Sequence, residues 1–595
     1  MAAGLHVAVQ ATAWPAEGTP VQIYGDIRES LLVSEALERL GELVLLPGGS
    51  EPHPIERRGR QVLLLVEAGR LAQGLLDAWE MEGQDAPVKE KRTLTNLLLE
   101  CAGAVTGRSS THWPAVRPLR MLGSLPPSMR IDLISPAGYE RDAIYPEGHL
   151  EAGRRLAGVS PLTVVGIRSI GTSLGAAVAT GAGTKSLLTV RTLPPGPRLT
   201  TELLGKRKEG AGVFAIAGEG PERVADWLVE RGVARRIVLV PTHGGEPGAA
   251  VPFEELFLGI DTPPPLRLSR WFEDLTGPAE APLEDLGCGR WRRLLFRDEG
   301  AWPAAQVLEE RRKYLLEAEG RRWLLKFAGL TLAARDKLQR ARELHAHGFG
   351  PETPALRHGF LLSSWISAQT LATRRVPHAD LVDFLARYLR LLSRTAPASG
   401  GASPAELLAA ARQNTAEALG EDAAGALDLW REHLPALTGD AQPVWTDGRL
   451  LPHELLVTDA GRLLKADALD HALGPGLVGS QDIAWDVAGA TVELGLGAAD
   501  VESLARSVAG PAAGRLLGRL GFYAECYLGW RVGETEAARA SLSPEHAAEA
   551  GRFALLRDRY AGLLSERIAR EGRARREIAV PGQLPHGLAR LTNDR

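Results

Sequence analysis

Residues able to handle phosphate stand in two separate stretches of this chain. In the second half, Lys313-Tyr-Leu-Leu-Glu-Ala-Glu-Gly-Arg-Arg-Trp-Leu-Leu-Lys-Phe reads as a strand, a turn near Glu319-Gly320 and a second strand carrying Lys326 among apolar neighbours. An ammonium in such a strand requires an anion, because burying it unpaired is costly. Nucleotide phosphates are one such anion. A sheet-edge lysine reaching water fits the same pattern.

About 80 residues after the hinge-like Ser363-Ser-Trp-Ile-Ser comes Val444-Trp-Thr-Asp447-Gly-Arg-Leu-Leu-Pro-His453-Glu454-Leu-Leu-Val, then Gly461-Arg-Leu-Leu-Lys-Ala-Asp467-Ala-Leu-Asp470-His471. Asp447 and Asp467 lie 20 positions apart with a strand-turn-strand between them, and a hairpin of that length returns the second carboxylate close to the first. Phosphoryl transfer asks for cations beside the phosphates and a carboxylate near the attacking hydroxyl, and little covalent help. Each aspartate would equally serve as a turn residue at a strand end. His453-Glu454 is not followed by a second histidine at zinc-protease spacing. His471 fits a capping or pairing role.

Taken in order, with the later Gln481-Asp482-Ile-Ala-Trp-Asp486, these segments resemble the aminoglycoside phosphotransferase branch of the protein-kinase-like fold, over about 305 to 575. The resemblance implies that Lys326 holds the phosphates of ATP, Asp447 orients the acceptor hydroxyl, Asp467 binds Mg2+, and Asp482 braces the helical lobe. Two departures are visible. The loop reads Trp445-Thr446-Asp447 where the family has His-Gly-Asp, and Pro452 stands where the family has a metal-binding Asn. His453 or Glu454 is left to supply a replacement ligand, and Glu454 suits Mg2+ better because hard cations prefer carboxylates. A non-catalytic, pseudokinase form is an open alternative.

In the first half, Thr163-Val-Val-Gly-Ile-Arg168-Ser169-Ile-Gly171-Thr172-Ser173-Leu-Gly-Ala-Ala-Val reads as a buried strand, a turn and a helix of small residues. Backbone amides at such a helix start, the Thr172 and Ser173 hydroxyls and the Arg168 guanidinium make an anion cradle. Plain helix capping is the competing account. With the basic Lys206-Arg207-Lys208 and then Gly212-Val-Phe-Ala-Ile-Ala-Gly-Glu219-Gly-Pro, the stretch from about 130 to 260 resembles a type I phosphoribosyltransferase, with Arg168, Ser169, Gly171, Thr172 and Ser173 at its pyrophosphate loop. The family has two adjacent acids and a phosphate loop where this chain offers only Glu219, so the resemblance is to a degenerate member, with phosphoribosyl pyrophosphate or another phosphorylated ligand bound weakly if at all. His243 reads as a turn residue.

The elements that must position these groups follow from periodicity. Apolar runs at 162–167, 213–217 and 237–240 alternate with helical stretches, which predicts a mostly parallel sheet covered by helices. Between Asp261 and Trp302 the periodicity fades among prolines and glycines, as in a connection between domains. The expected organisation is α/β plus α+β: an α/β region of unknown role at 1–130, either separate or part of the next domain, a phosphoribosyltransferase-like parallel-sheet domain at 131–262, a linker at 263–303, a kinase-like N-lobe at 304–375 and a helical C-lobe at 376–595. At 595 residues several cores are required.

The charge balance, 69 basic against 73 acidic residues, offers no global field to recruit nucleic acid. Three scattered cysteines exclude a disulfide framework and suit a reducing cytoplasm. No apolar run approaches the roughly 20 residues of a membrane helix. The combined expectation is an ATP- and Mg2+-dependent phosphotransferase acting on a small hydroxylated substrate, with no nucleic-acid or membrane partner. A bifunctional phosphoribosyltransferase/kinase and a non-catalytic scaffold or sensor are the alternatives. Neither the acceptor nor the oligomeric state is written in the sequence.

Overall fold

The computed structural model describes residues 27–45, 53–107, 116–193, 196–198, 212–218, 220–242, 250–259, 262–395, 401–470 and 478–578. Lys206, Arg207, Lys208, Glu219, His243 and His471 lie outside them.

The expected parallel sheet is present. Strands Leu187–Leu193, Leu162–Ile167, Gly212–Gly218 and Ala234–Pro241 lie side by side and parallel, and the short strand Gly196–Arg198 adds antiparallel to the first. Leu162–Ile167 is buried at all six positions, which is why it reads as a continuous apolar run rather than an alternating one. Residues before 130 belong to the same body. Strand Ile27–Leu32 pairs antiparallel with Arg130–Ser135, and helices Pro54–Met81 and Val88–Val105 pack on the sheet helix Gly171–Ala182.

The stretch 263–303 is a packed part of the fold rather than a free connection. Leu268, Trp271, Phe272 and Leu286 are all fully buried. Its Glu284–Asp285 strand extends a five-stranded antiparallel sheet in the order Ala355–Arg357, Phe360–Ser364, Arg321–Phe327, Lys313–Ala318, Glu284–Asp285. Periodicity fails there because its apolar side chains fall at irregular spacing on short turns and beside a two-residue strand.

One apolar cluster runs from Leu31 through Phe257 and Trp271 to Leu362, so the amino-terminal body and the five-stranded sheet share a core. A second cluster fills the helical lobe, built on helices His378–Leu392, Pro404–Leu419, Ala484–Leu494 and Ala513–Ser541. Against that lobe lies a small sheet, Ala368–Thr370, Leu455–Thr458 and Leu463–Lys465. Among the described residues no helix is long and apolar enough to cross a membrane.

Candidate functional site

The hairpin anticipated between Asp447 and Asp467 forms with Leu455 opposite Lys465, which brings both ends of the motif under the five-stranded sheet. Lys326 pairs in register with Lys313 and Leu361, in the middle of that sheet. Its Nζ reaches across to Asp467 Oδ1 at 2.9 Å and Asp470 Oδ2 at 2.7 Å. The Lys326 and Asp467 side chains retain 17% and 32% exposure, so a solute can reach this pair. Burial alone would lower the Lys326 pKa, but Asp467 and Asp470 together raise it, and the ammonium is permanent. Asp470 also takes Lys337 at 2.9 Å and Arg311 at 3.0 Å. Burial would raise its pKa, and the three cations hold it well below the usual carboxylate range.

Asp447 lies in the same network but deeper. Its side chain and that of Lys465 are both 0% exposed, with Lys465 Nζ 3.1 Å from Asp447 Oδ1. Lys465 also donates to Glu454 Oε2 at 2.9 Å and to the backbone carbonyl of Asp467. Burial would lower the Lys465 pKa, but the Asp447 and Glu454 carboxylates outweigh it and raise it. On its other side Asp447 Oδ2 accepts the Tyr388 hydroxyl at 2.5 Å. Burial first, then the Asp447 charge, keeps that phenol well above its ordinary pKa, so it remains a donor.

Lys326, Asp447, Asp467 and Glu454 therefore converge on one network, with Lys465 at its centre. Glu454, expected to meet a metal ion, meets the Lys465 ammonium. Its carboxylate is already neutralised by an ammonium, and among the described residues no group of three His, Cys, Asp or Glu side chains is arranged to hold a metal ion. Asp447 and Glu454 face the Lys465 ammonium, whereas Mg2+ is usually held by one or two carboxylates together with waters and substrate phosphates. His453 turns the other way and stacks on Trp291, and burial pushes its pKa down to about 4.

The loop carrying Asp447 is held from below. Asp486, in the first turn of helix Ala484–Leu494, accepts the Asp447 and Gly448 backbone N–H groups, and Trp485 Nε1 donates to the Gly448 carbonyl at 3.1 Å. Asp482 caps the same helix through Ala484 N–H at 3.0 Å and pairs with Arg519 at 2.9 Å, a brace within the helical lobe.

In the amino-terminal cradle the anion-facing roles are taken by protein groups. The Arg168 side chain is 0% exposed and is bound by Asp77 at 3.0 Å and by Glu80, both from helix Pro54–Met81. Ser173 Oγ meets the Tyr139 hydroxyl at 2.5 Å, and Thr172 is fully buried. Ser169 adopts a φ of 97°, and a Cβ on Gly171 would lie 2.5 Å from the Ala217 carbonyl oxygen, so strand and helix start are pressed together. Arg168, Ser169, Gly171, Thr172 and Ser173 thus lie together as expected, but Arg168 and Ser173 are tied to partners within the fold and Thr172 is closed off by packing.

Lys465 and Tyr388 escaped the reading of the sequence, and Asp470 and Asp486 stood in its segments without an assigned role. Lys465 carried the same signal as Lys326, a lysine ending an apolar strand. Tyr388 carried none, since one buried tyrosine on an amphipathic helix looks like any other.

No protein-family model matches the chain, and no curated protein matches it. Solved structures of choline and ethanolamine kinases and of aminoglycoside phosphotransferases align over about half of it. The choline kinase LicA from Streptococcus pneumoniae does so at 15% identity, covering 42% of this chain and 89% of its own, with a TM-score of 0.29. A choline/ethanolamine kinase family protein from Mesorhizobium loti aligns at 21% identity, 43% and 88% coverage and a TM-score of 0.29. A spectinomycin phosphotransferase solved with ADP and spectinomycin aligns at 11% identity, 43% and 90% coverage and a TM-score of 0.30. At such values the chemistry of this chain is decided by its own side chains.

Proposed function

We propose that the carboxy-terminal module binds ATP between its five-stranded sheet and its helical lobe and is a phosphotransferase acting on a hydroxyl of a small metabolite. The observation that carries this reading is the meeting of Lys326 from the sheet with Asp467 from the hairpin at 2.9 Å, both still open to solvent. A phosphate entering there exchanges the Asp467 carboxylate for its own oxygens on Lys326. Lys337 and Arg311, held by Asp470, add positive charge alongside. In the transfer itself the acceptor oxygen bonds to the terminal phosphorus, the bond to the bridging oxygen of the diphosphate breaks, and the acceptor proton passes to Asp447. Asp447 is available for this once the acceptor hydroxyl replaces that of Tyr388 on Oδ2.

That last requirement favours a second reading. With Asp447 fully withdrawn and both of its oxygens engaged, the module would bind nucleotide as a sensor or scaffold without turning it over. Thermal shifts with ATP and ADP, followed by γ-phosphoryl transfer to a panel of hydroxylated small molecules, separate the two. A ligand at about 100 times its dissociation constant adds about 2.7 kcal/mol of stability. Stabilisation with transfer that Asp447→Asn abolishes supports the phosphotransferase. Stabilisation without transfer supports the sensor, and no shift with either nucleotide overturns both.

A further inference from the structure

The centre of the network is occupied by a residue of the chain where a metal-dependent site needs a cation. We propose that Lys465 is a resident cation standing in for a divalent metal ion between Asp447, Glu454 and the Asp467 carbonyl, so that nucleotide enters this site without a divalent ion held by these residues. The first half of the statement stands on geometry alone. The second rests on the nucleotide-binding reading above.

Of its three N–H donors Lys465 gives one to Glu454 Oε2 at 2.9 Å and one to the Asp467 carbonyl, and the ammonium forms an ion pair with Asp447 Oδ1 at 3.1 Å. A divalent ion claiming the same oxygens at roughly 2.0–2.1 Å would lie on top of the nitrogen. The ammonium cannot step aside, because its stem belongs to a residue paired in register with Leu455 and is 0% exposed. Nor does the loop offer another ligand, since Pro452 has no side-chain donor atom. The Asp467 carboxylate, turned to Lys326 until a phosphate displaces it, lies outside this set. The chain has thus replaced a loose divalent ion by a covalently attached monovalent one. The site keeps one positive charge between two carboxylates and loses its dependence on free metal there.

Manganese titration of the full-length protein without nucleotide, read from the electron paramagnetic resonance signal of free Mn2+, tests the resident cation. The wild type and Glu454→Gln are expected to take up equal amounts. Lys465→Met, checked for folding by circular dichroism, is expected to gain one Mn2+ per chain at least tenfold tighter than any wild-type site. Wild-type uptake that Glu454→Gln abolishes would overturn the proposal, as would a folded Lys465→Met that binds no more than wild type. Should Lys465→Met fail to fold, the comparison of wild type with Glu454→Gln decides alone. A second arm measures ATP affinity of the wild type in EDTA and in excess Mg2+. Affinities within threefold of each other support metal-independent entry, and a tenfold or larger dependence on Mg2+ overturns it. If ATP binds in neither buffer the nucleotide-binding reading fails, while the manganese result still decides the role of Lys465.

Discussion

The Asp486 carboxylate accepts the backbone N–H of Asp447 at 2.8 Å, with that of Gly448 beside it at 2.9 Å. A helix residue thereby fixes the loop that presents the deepest carboxylate of the site. Burial, and then the neighbouring Asp447 charge, push the Asp486 pKa up to about 7 against the pull of those two N–H donors. A carboxylic acid whose folded pKa lies above its unfolded value stabilises the fold at low pH, and that contribution is lost as pH rises through the folded pKa. The window here runs from about 4 to about 7. Asp486→Asn does not titrate, so its melting temperature should gain on that of the wild type between pH 5 and pH 7.5. Melting curves of the two proteins at both pH values check this, and a gap that stays constant would mean Asp486 is ionised throughout.

Lys326 is replaceable as far as folding is concerned. Its partner Asp470 keeps Lys337 and Arg311, and Asp467 is a third exposed. Lys326→Met should therefore fold while losing at least about tenfold in ATP affinity, equivalent to about 1.4 kcal/mol. Calorimetric titration with ATP measures the loss, and an unchanged affinity would remove Lys326 from the phosphate site.

These two residues show what the sequence could and could not reveal. Lys326, Asp447 and Asp467 were legible because strand, loop and hairpin are local patterns, and a charge set among apolar residues stands out. That Lys465 would fill the middle was hidden, since it depends on which face of a three-residue strand turns toward Asp447. The parallel sheet of the amino-terminal half was equally legible from its apolar runs. The shared core with the five-stranded sheet was not, because the apolar residues that join it at 268–272 have no periodicity and their partners lie far along the chain. The Arg168 pairing failed to show for the same reason: its carboxylates are 88 and 91 positions away.

Arg168 should behave as a structural cation. Its guanidinium is fully buried between Asp77 and Glu80, and Asp77 is also bound by Arg191 and Gln73. Removing one member of a buried ion pair costs about 3–5 kcal/mol, and the half-open edge occupied by Arg191 places this case at the lower end. Arg168→Met should lose about 3 kcal/mol in urea unfolding, and phosphoribosyl pyrophosphate should leave the wild-type melting temperature unchanged. A variant of wild-type stability, in a protein that this ligand stabilises, would return Arg168 to the role of an anion ligand.

The amino-terminal body also sets the position of the helix that faces the Lys326–Asp467 pair. At the entrance to helix Ala333–Ala346, Leu330 N–H donates to the Tyr139 carbonyl at 2.9 Å, Leu332 N–H to Glu67 at 3.1 Å, and the Thr331 hydroxyl to Glu140. One turn later the same helix delivers Lys337 to Asp470, 2.9 Å away, and so to the group that orients Lys326. Thr331 is 2% exposed, and deleting its hydroxyl leaves the buried Glu140 short of a donor, at a cost of about 1–3 kcal/mol. Thr331→Val should therefore accelerate amide hydrogen exchange across 333–346 and weaken ATP binding about threefold, although residue 331 itself makes no contact with Lys326 or Asp467. Exchange measured by mass spectrometry, with ATP titrations on the same samples, distinguishes the outcomes. Faster exchange with unchanged affinity would show that the amino-terminal body steadies this helix without tuning the site, whereas a joint change would make the two halves one functional unit.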